Sequence, residues 1–149
     1  KTKEITSELT RINHVWKDVE PNGVIQILGP VTEEEKWNLM VHASVLLFPS
    51  LDEGFGLPVL EAMSVGTPVI TSTRGSLPEV GGDAVIYVEP DDIEQMSFSI
   101  AQCLLVPEGV EQLRLDGLKR AAEFTWERTT KKILEILERV GGATGTSSL

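Results

Sequence analysis

The stretch from Val45 to Met63 leaves this chain few folds to choose from. Val45-Leu46-Leu47-Phe48 is a short unbroken apolar run, the pattern of a strand covered on both faces. Pro49 to Leu57 then leads through a glycine-bearing turn into a helix, with Pro58 where a first helical position tolerates a missing N–H. A strand that feeds a helix through a tight turn gathers unpaired backbone N–H groups and the positive end of a helix dipole at one point. Such a point suits a phosphate. Phe55, Gly56 and Leu57 would contribute mainly backbone, and Gly54 and Gly56 let the chain approach a diphosphate without a clashing Cβ. Two carboxylates, Glu53 and Glu61, bracket the turn.

The remaining pattern alternates strands with helices. An opening amphipathic helix carries Ile5, Leu9, Ile12 and Trp16 on one face, Asn22-Gly23 makes a turn, and Val24 to Leu28 reads as a strand. Thr32 with Glu35 is a capping box for a helix to about His42, and Gly66 ends the helix that begins at Pro58. Pro68 to Thr71 and Ala84 to Val88 are further strands, with a short helix at Leu77-Pro78-Glu79-Val80 between them. Asp91 and Glu94 repeat the capping-box spacing ahead of a helix to about Leu105, and another runs from about Glu111 to Phe124. Thr125 caps a last helix bearing Ile133, Leu137 and Val140, which Gly141-Gly142 should stop. Trp126 is expected to pack, bracing that helix against the sheet. This order predicts an α/β fold, a doubly wound parallel sheet of about four strands with ligands at the strands' carboxyl ends. Residues 1–140 form one domain and 141–149 a flexible tail.

Bulk properties exclude several function classes. The formal charge of -10 argues against nucleic acid, which demands a basic surface, and against a polybasic membrane patch. Cys103 is the single cysteine, so no internal disulfide and no thiolate metal centre is expected, and a reducing, cytoplasmic setting fits. His14 and His42 have no partner at metal-ligand spacing, and Ser50 and Ser64 lack a nucleophile elbow. No metal site is predicted. The chain opens on Lys1 without an initiator methionine, which leads us to expect a piece of something longer.

The residues around the turn also resemble a known family, the group 1 retaining glycosyltransferases, whose C-terminal domain carries two glutamates separated by seven residues, here Glu53 and Glu61. The similarity continues through Ala62 to Thr71, through Gly75-Ser76-Leu77-Pro78-Glu79-Val80, and ends with Phe124-Thr125-Trp126-Glu127. It implies most of the second of two Rossmann-like domains in the GT-B arrangement, without the strands that normally open it. Such a domain binds a nucleotide-sugar donor. The resemblance places Glu61 on the ribose, the amides of Phe55 to Leu57 on the diphosphate and Glu53 against the sugar, as covalent nucleophile or as electrostatic partner, the latter favoured. It implies hexose transfer to the hydroxyl of a carbohydrate or lipid-linked acceptor, no cofactor beyond the donor substrate, and a missing N-terminal domain through which the protein could sit at the inner membrane face. An arginine and a lysine that hold the diphosphate in the family have no match, because Arg74 is the single Lys or Arg between Lys36 and Arg114. Two other readings stand beside this one: a non-catalytic binding or assembly module, with sheet edges that encourage self-association, and a nucleotide-sugar epimerase or hydrolase, which would need an acid/base pair not visible here.

Overall fold

The computed structural model describes residues 28–143, together with Ser7 and Gln26. The expected opening helix and most of the strand at Val24 to Leu28 lie outside the described residues; Gln26 and Leu28 are described, and neither belongs to a strand. Two units, residues 1–36 and 37–149, divide the chain. The boundary falls within α1 (Glu33–His42). At its start the capping box forms: the Thr32 N–H and hydroxyl both donate to Glu35 Oε2, at 2.8 and 2.9 Å, and the Glu35 N–H donates to Thr32 Oγ1 at 3.2 Å. The bond from the Thr32 amide, helped by the one from its hydroxyl, holds the Glu35 carboxyl below the usual carboxylate range.

In the second unit three short parallel strands, β1 (Leu46–Phe48), β2 (Val69–Thr71) and β3 (Ile86–Tyr87), lie side by side in chain order. Leu46 pairs with Val69 and Phe48 with Thr71, while Ile70 pairs with Ile86. Parallel neighbours require crossovers, and helices α2 (Leu57–Ser64) and α3 (Leu77–Gly81) supply them. Beyond β3 follow α4 (Ile93–Leu105), α5 (Pro107–Ala121) and α6 (Trp126–Ala143).

Alternation along β2 sorts the core onto two faces. Val69 joins Val59, Ala62 and Met63 of α2, Leu77 and Val80 of α3, and Ala121 of α5. Ile70 points the other way, to Val88 and to Cys103 of α4, with Met96 and Ile100 half-buried beside them. The sheet is therefore covered on both sides, as a doubly wound fold requires. Burial also pushes the Cys103 thiol up. α2 packs on α5 beside Gly117, where an added Cβ would sit in ordinary van der Waals contact, 3.4 Å from Met63 Cγ.

Several sequence expectations shift. Three of the four expected strands make the sheet among the described residues; the fourth, Val24 to Leu28, lies mostly outside them. Leu47 is 40% exposed, so one face of β1 is not covered, and among the described residues β1 lies at the end of the sheet. Helix α2 starts one residue early, so Pro58 follows Leu57 in its first turn, and Gly66 past its end takes a φ of 75°. Asp92, not Asp91, caps α4, accepting from the Gln95 N–H at 2.9 Å, while the Gln95 side chain reaches past the cap to accept from the Glu89 N–H at 2.7 Å and the Asp92 N–H donates to Glu89 O at 3.0 Å. Helix α5 begins at Pro107, ahead of Glu111, since Pro is preorganised for a first turn, and it closes at Ala121. Thr125 does cap α6, its hydroxyl accepting from the Arg128 N–H at 3.2 Å. That helix runs through Gly141 and Gly142 to Ala143, because glycine weakens a helix without stopping one. Trp126 braces nothing: it is 86% exposed, and Ile133, Leu137 and Val140 are exposed too.

Met63, 1% exposed at the junction of α2, α3 and α5, is expected to cost about 2–5 kcal/mol of stability as Met63→Ala. Urea denaturation should show it, whereas Leu51→Ala, at a residue 70% exposed, should stay within about 0.5 kcal/mol of the parent.

Candidate functional site

The chain leaves β1 at Phe48 and turns at once, with the Ser50 N–H donating to Phe48 O at 3.0 Å and the Ser50 hydroxyl to Asp52 O at 2.8 Å. Gly56 then takes a left-handed conformation, φ 94° and ψ 42°, as the N-cap of α2. Its carbonyl accepts from the N–H groups of Val59 and Leu60, at 3.0 and 3.2 Å, so the helix begins cleanly. Pro58 has no N–H to give. Among the described residues, no hydrogen bond is donated by the amides of Phe55, Gly56 or Leu57. These are the orphan donors of a helix start, at the carboxyl end of a parallel strand.

A second turn, after β2, holds the first in place. Thr71 Oγ1 donates to Phe48 O at 2.8 Å, and Ser72 Oγ to Ser50 O at 2.5 Å. Further out, the amide and hydroxyl of Ser76 both donate to Glu53 O, at 3.2 and 3.0 Å. Gly75, with φ 55°, lies against the backbone of Glu53. The two outgoing segments thus run together past the end of the sheet. Sequence reasoning quoted Ser76 only within the family motif and gave it no task; the signal was the hydroxyls of Thr71, Ser72, Thr73 and Ser76 within six residues at the end of a strand.

The structure brings Glu53, Gly54, Phe55, Gly56 and Leu57 together in one turn, Glu53 half-buried and Gly56 buried. Glu61 is half-buried in the second turn of α2, four residues beyond Leu57 and therefore on the same face, about 6 Å along the axis. Phe55 does more than lend backbone: its ring meets Phe124 edge to face, with centroids 6.1 Å apart and planes at 84°. Two cavities reach this ring. One, of about 390 Å³, is lined by Phe55, Ser76, Arg120 and Arg128 among others, and the second, of about 440 Å³, by Phe55, Leu57, Leu60 and Trp126 among others. Glu53 and Glu61 line neither.

Positive charge lies to one side of the turn, where Arg120, Arg128 and Lys132 line the first cavity. Arg74 pairs with Glu89, Nη2 to Oε2 at 2.6 Å, both side chains about half exposed. Arg120 donates from Nε to Val80 O at 3.0 Å, from Nη2 to Glu79 O and from Nη1 to Glu123, both at 2.5 Å, and lies over the Phe124 ring. It ties α5 to α3. Among the described residues no group of three or more His, Cys, Asp or Glu is placed to hold a metal ion.

Comparison with known proteins decides the family. Residues 7–137 match the family described as glycosyl transferases group 1. The chain belongs to that family. It is 41% identical over 123 residues to the O-antigen chain mannosyltransferase B of Escherichia coli, covering 80% of this chain and 32% of that protein. It is 31% identical over 138 residues to the MMP alpha-(1->4)-mannosyltransferase of Mycolicibacterium hassiacum, covering 81% and 34%. Among solved structures, sucrose-phosphate synthase from Thermosynechococcus elongatus superposes with a TM-score of 0.72 at 26% identity, over 93% of this chain and 35% of that one. The α/β fold is that of GT-B glycosyltransferases. This glycosyltransferase chain spans about a third of the length of these relatives.

The left-handed φ of Gly56 is required for the turn, and a Cβ there would come within 2.8 Å of Leu77 Cδ2. Gly56→Ala should therefore lose about 1–3 kcal/mol in urea denaturation. Leu57→Ala, at a neighbour 59% exposed, serves as the control and should lose much less.

Proposed function

We propose that this glycosyltransferase domain holds the donor in a retaining transfer of a hexose from a nucleoside diphosphate sugar to an acceptor hydroxyl, within a longer two-domain enzyme. The observation that carries the reading is the set of unspent amides at Phe55, Gly56 and Leu57, at the N-terminus of α2 between two glutamates. They offer donors and a positive dipole end to the diphosphate. Glu61 takes the ribose, its two carboxylate oxygens accepting from the vicinal hydroxyls. Glu53 takes the sugar and stabilises the positive charge that grows at the anomeric carbon as its bond to the diphosphate oxygen breaks. A bond forms to the acceptor oxygen, and the acceptor's proton leaves with the diphosphate. We favour this electrostatic role over a covalent nucleophile.

Both relatives named above are mannosyltransferases, which supports a hexose as the transferred group. The acceptor class is a carbohydrate or a lipid-linked carbohydrate. No metal cofactor enters the proposal, because amides and basic side chains meet the leaving group's charge. No helix among the described residues is long and apolar enough to cross a membrane. The setting we propose is cytoplasmic, with any attachment to the inner membrane face provided by the rest of the protein. Since the chain spans about a third of its relatives, we expect it in isolation to bind donor without turning it over.

Calorimetric titration of several nucleoside diphosphates and their hexose forms into the chain tests this. Glu61→Ala should weaken both by about tenfold or more, the cost of a charged hydrogen-bonding group. Glu53→Ala should leave the nucleoside diphosphate unaffected and remove the added affinity of the hexose form. Binding that ignores Glu61→Ala would reject the ribose assignment. Failure of every donor at millimolar concentration, with this chain and with the complete enzyme alike, would reject the whole reading.

A further inference from the structure

We infer that Ser76, seated by Gly75, is a positioning residue for Glu53, so that the turn after β2 sets the geometry of the reacting turn after β1. The inference rests on the donor reading proposed above. It begins with a cap that is not used as one. Ser76 is the N-cap of α3, where a serine hydroxyl ordinarily accepts from an amide of its own helix, yet it makes no such bond. Instead the hydroxyl donates to the Glu53 carbonyl at 3.0 Å, and the Ser76 amide donates to the same oxygen at 3.2 Å. Two donors fill both lone pairs of that carbonyl.

The peptide that joins Glu53 to Gly54 is planar and trans, so fixing its oxygen also fixes its N–H, which points the opposite way. Ser76 therefore aims the Gly54 amide away from itself and sets the Cα from which the Glu53 carboxylate departs. Gly75 makes the approach possible. A Cβ at residue 75 would fall on the Glu53 carbonyl oxygen and 2.9 Å from the Glu53 nitrogen, at a φ of 55° that already favours glycine. Upstream, Thr71 and Ser72 fix the carbonyls of Phe48 and Ser50 in the same manner. Every hydroxyl in this series donates to the backbone of the first turn, and the last lands on the residue with the chemical task.

The test uses the complete enzyme that carries this domain, with its nucleoside diphosphate hexose as donor, and compares Ser76→Ala, Ser76→Thr and Glu53→Gln. Ser76→Ala should lower kcat at least about tenfold, as a slight misplacement of a reacting group does, while the donor KM moves less than about threefold and Tm stays within about 2 °C. Ser76→Thr, which keeps the hydroxyl, should restore most of the kcat. An inactive Glu53→Gln alongside a Ser76→Ala with parental kcat would overturn the positioning role alone. A fall in kcat that tracks a loss of Tm and is not rescued by threonine would overturn it too, since that is what a merely structural serine gives. Parental turnover in Glu53→Gln would reject the role of Glu53, and this inference with it.

Discussion

Burial of Val69, Ile70 and Thr71 at 0% exposure governs what the rest of this domain can do. A strand sealed on both faces and both edges has nowhere to place polar side chains except at its ends. Thr71 solves the problem by giving its hydroxyl to the Phe48 carbonyl, and Ser72 repeats the solution one residue on. A buried hydroxyl without a partner would be expensive, so these bonds form wherever the strand packs. Their by-product is that the chain leaving β2 is fastened to the chain leaving β1. What begins as core packing thus ends as a rigid wall on one side of the Glu53 turn.

That coupling makes the turn a preorganised object. Gly56 in a left-handed conformation ends the loop, and Leu77, buried at 0%, closes the space beneath it. The amides of Phe55 to Leu57 are left with no acceptor in the described structure because the turn spends its bonds on one side only. Donors held fixed in advance are what a bound anion needs, since no reorganisation is asked of them on binding.

Much of this was legible in the order of residues, for reasons that can be named. The strand within Val45 to Phe48 and the helix start beside Pro58 follow from local patterning and the left-handed Gly56 from backbone sterics, although the covering of the strand and the exact first helical residue came out differently. The capping box at Thr32 and Glu35 is equally local. The cap of α4 moved by one residue because Asp91 and Asp92 are chemically equal and only the reach of Gln95 to Glu89 separates them. Trp126 was misread because an indole's burial depends on what surrounds it, and here little does. Ser76 was quoted within a motif but left without a task, since its partner lies 23 residues away and no spacing rule connects them.

Electrostatics sets the last constraint on the domain. A diphosphate brings about two negative charges to a chain that already carries -10, while a helix start offers only about half a positive charge. Arg74 is paired with Glu89, a half-exposed pair worth little to stability. Arg120 is spent on the carbonyls of Glu79 and Val80 and on Glu123. In the proposed reading the amides of Phe55 to Leu57 place the diphosphate between Glu53 and Glu61 but do not by themselves neutralise it against two flanking acids. Arg128 and Lys132, which line the cavity that Phe55 and Ser76 also line, are the further cations on this side of the described structure.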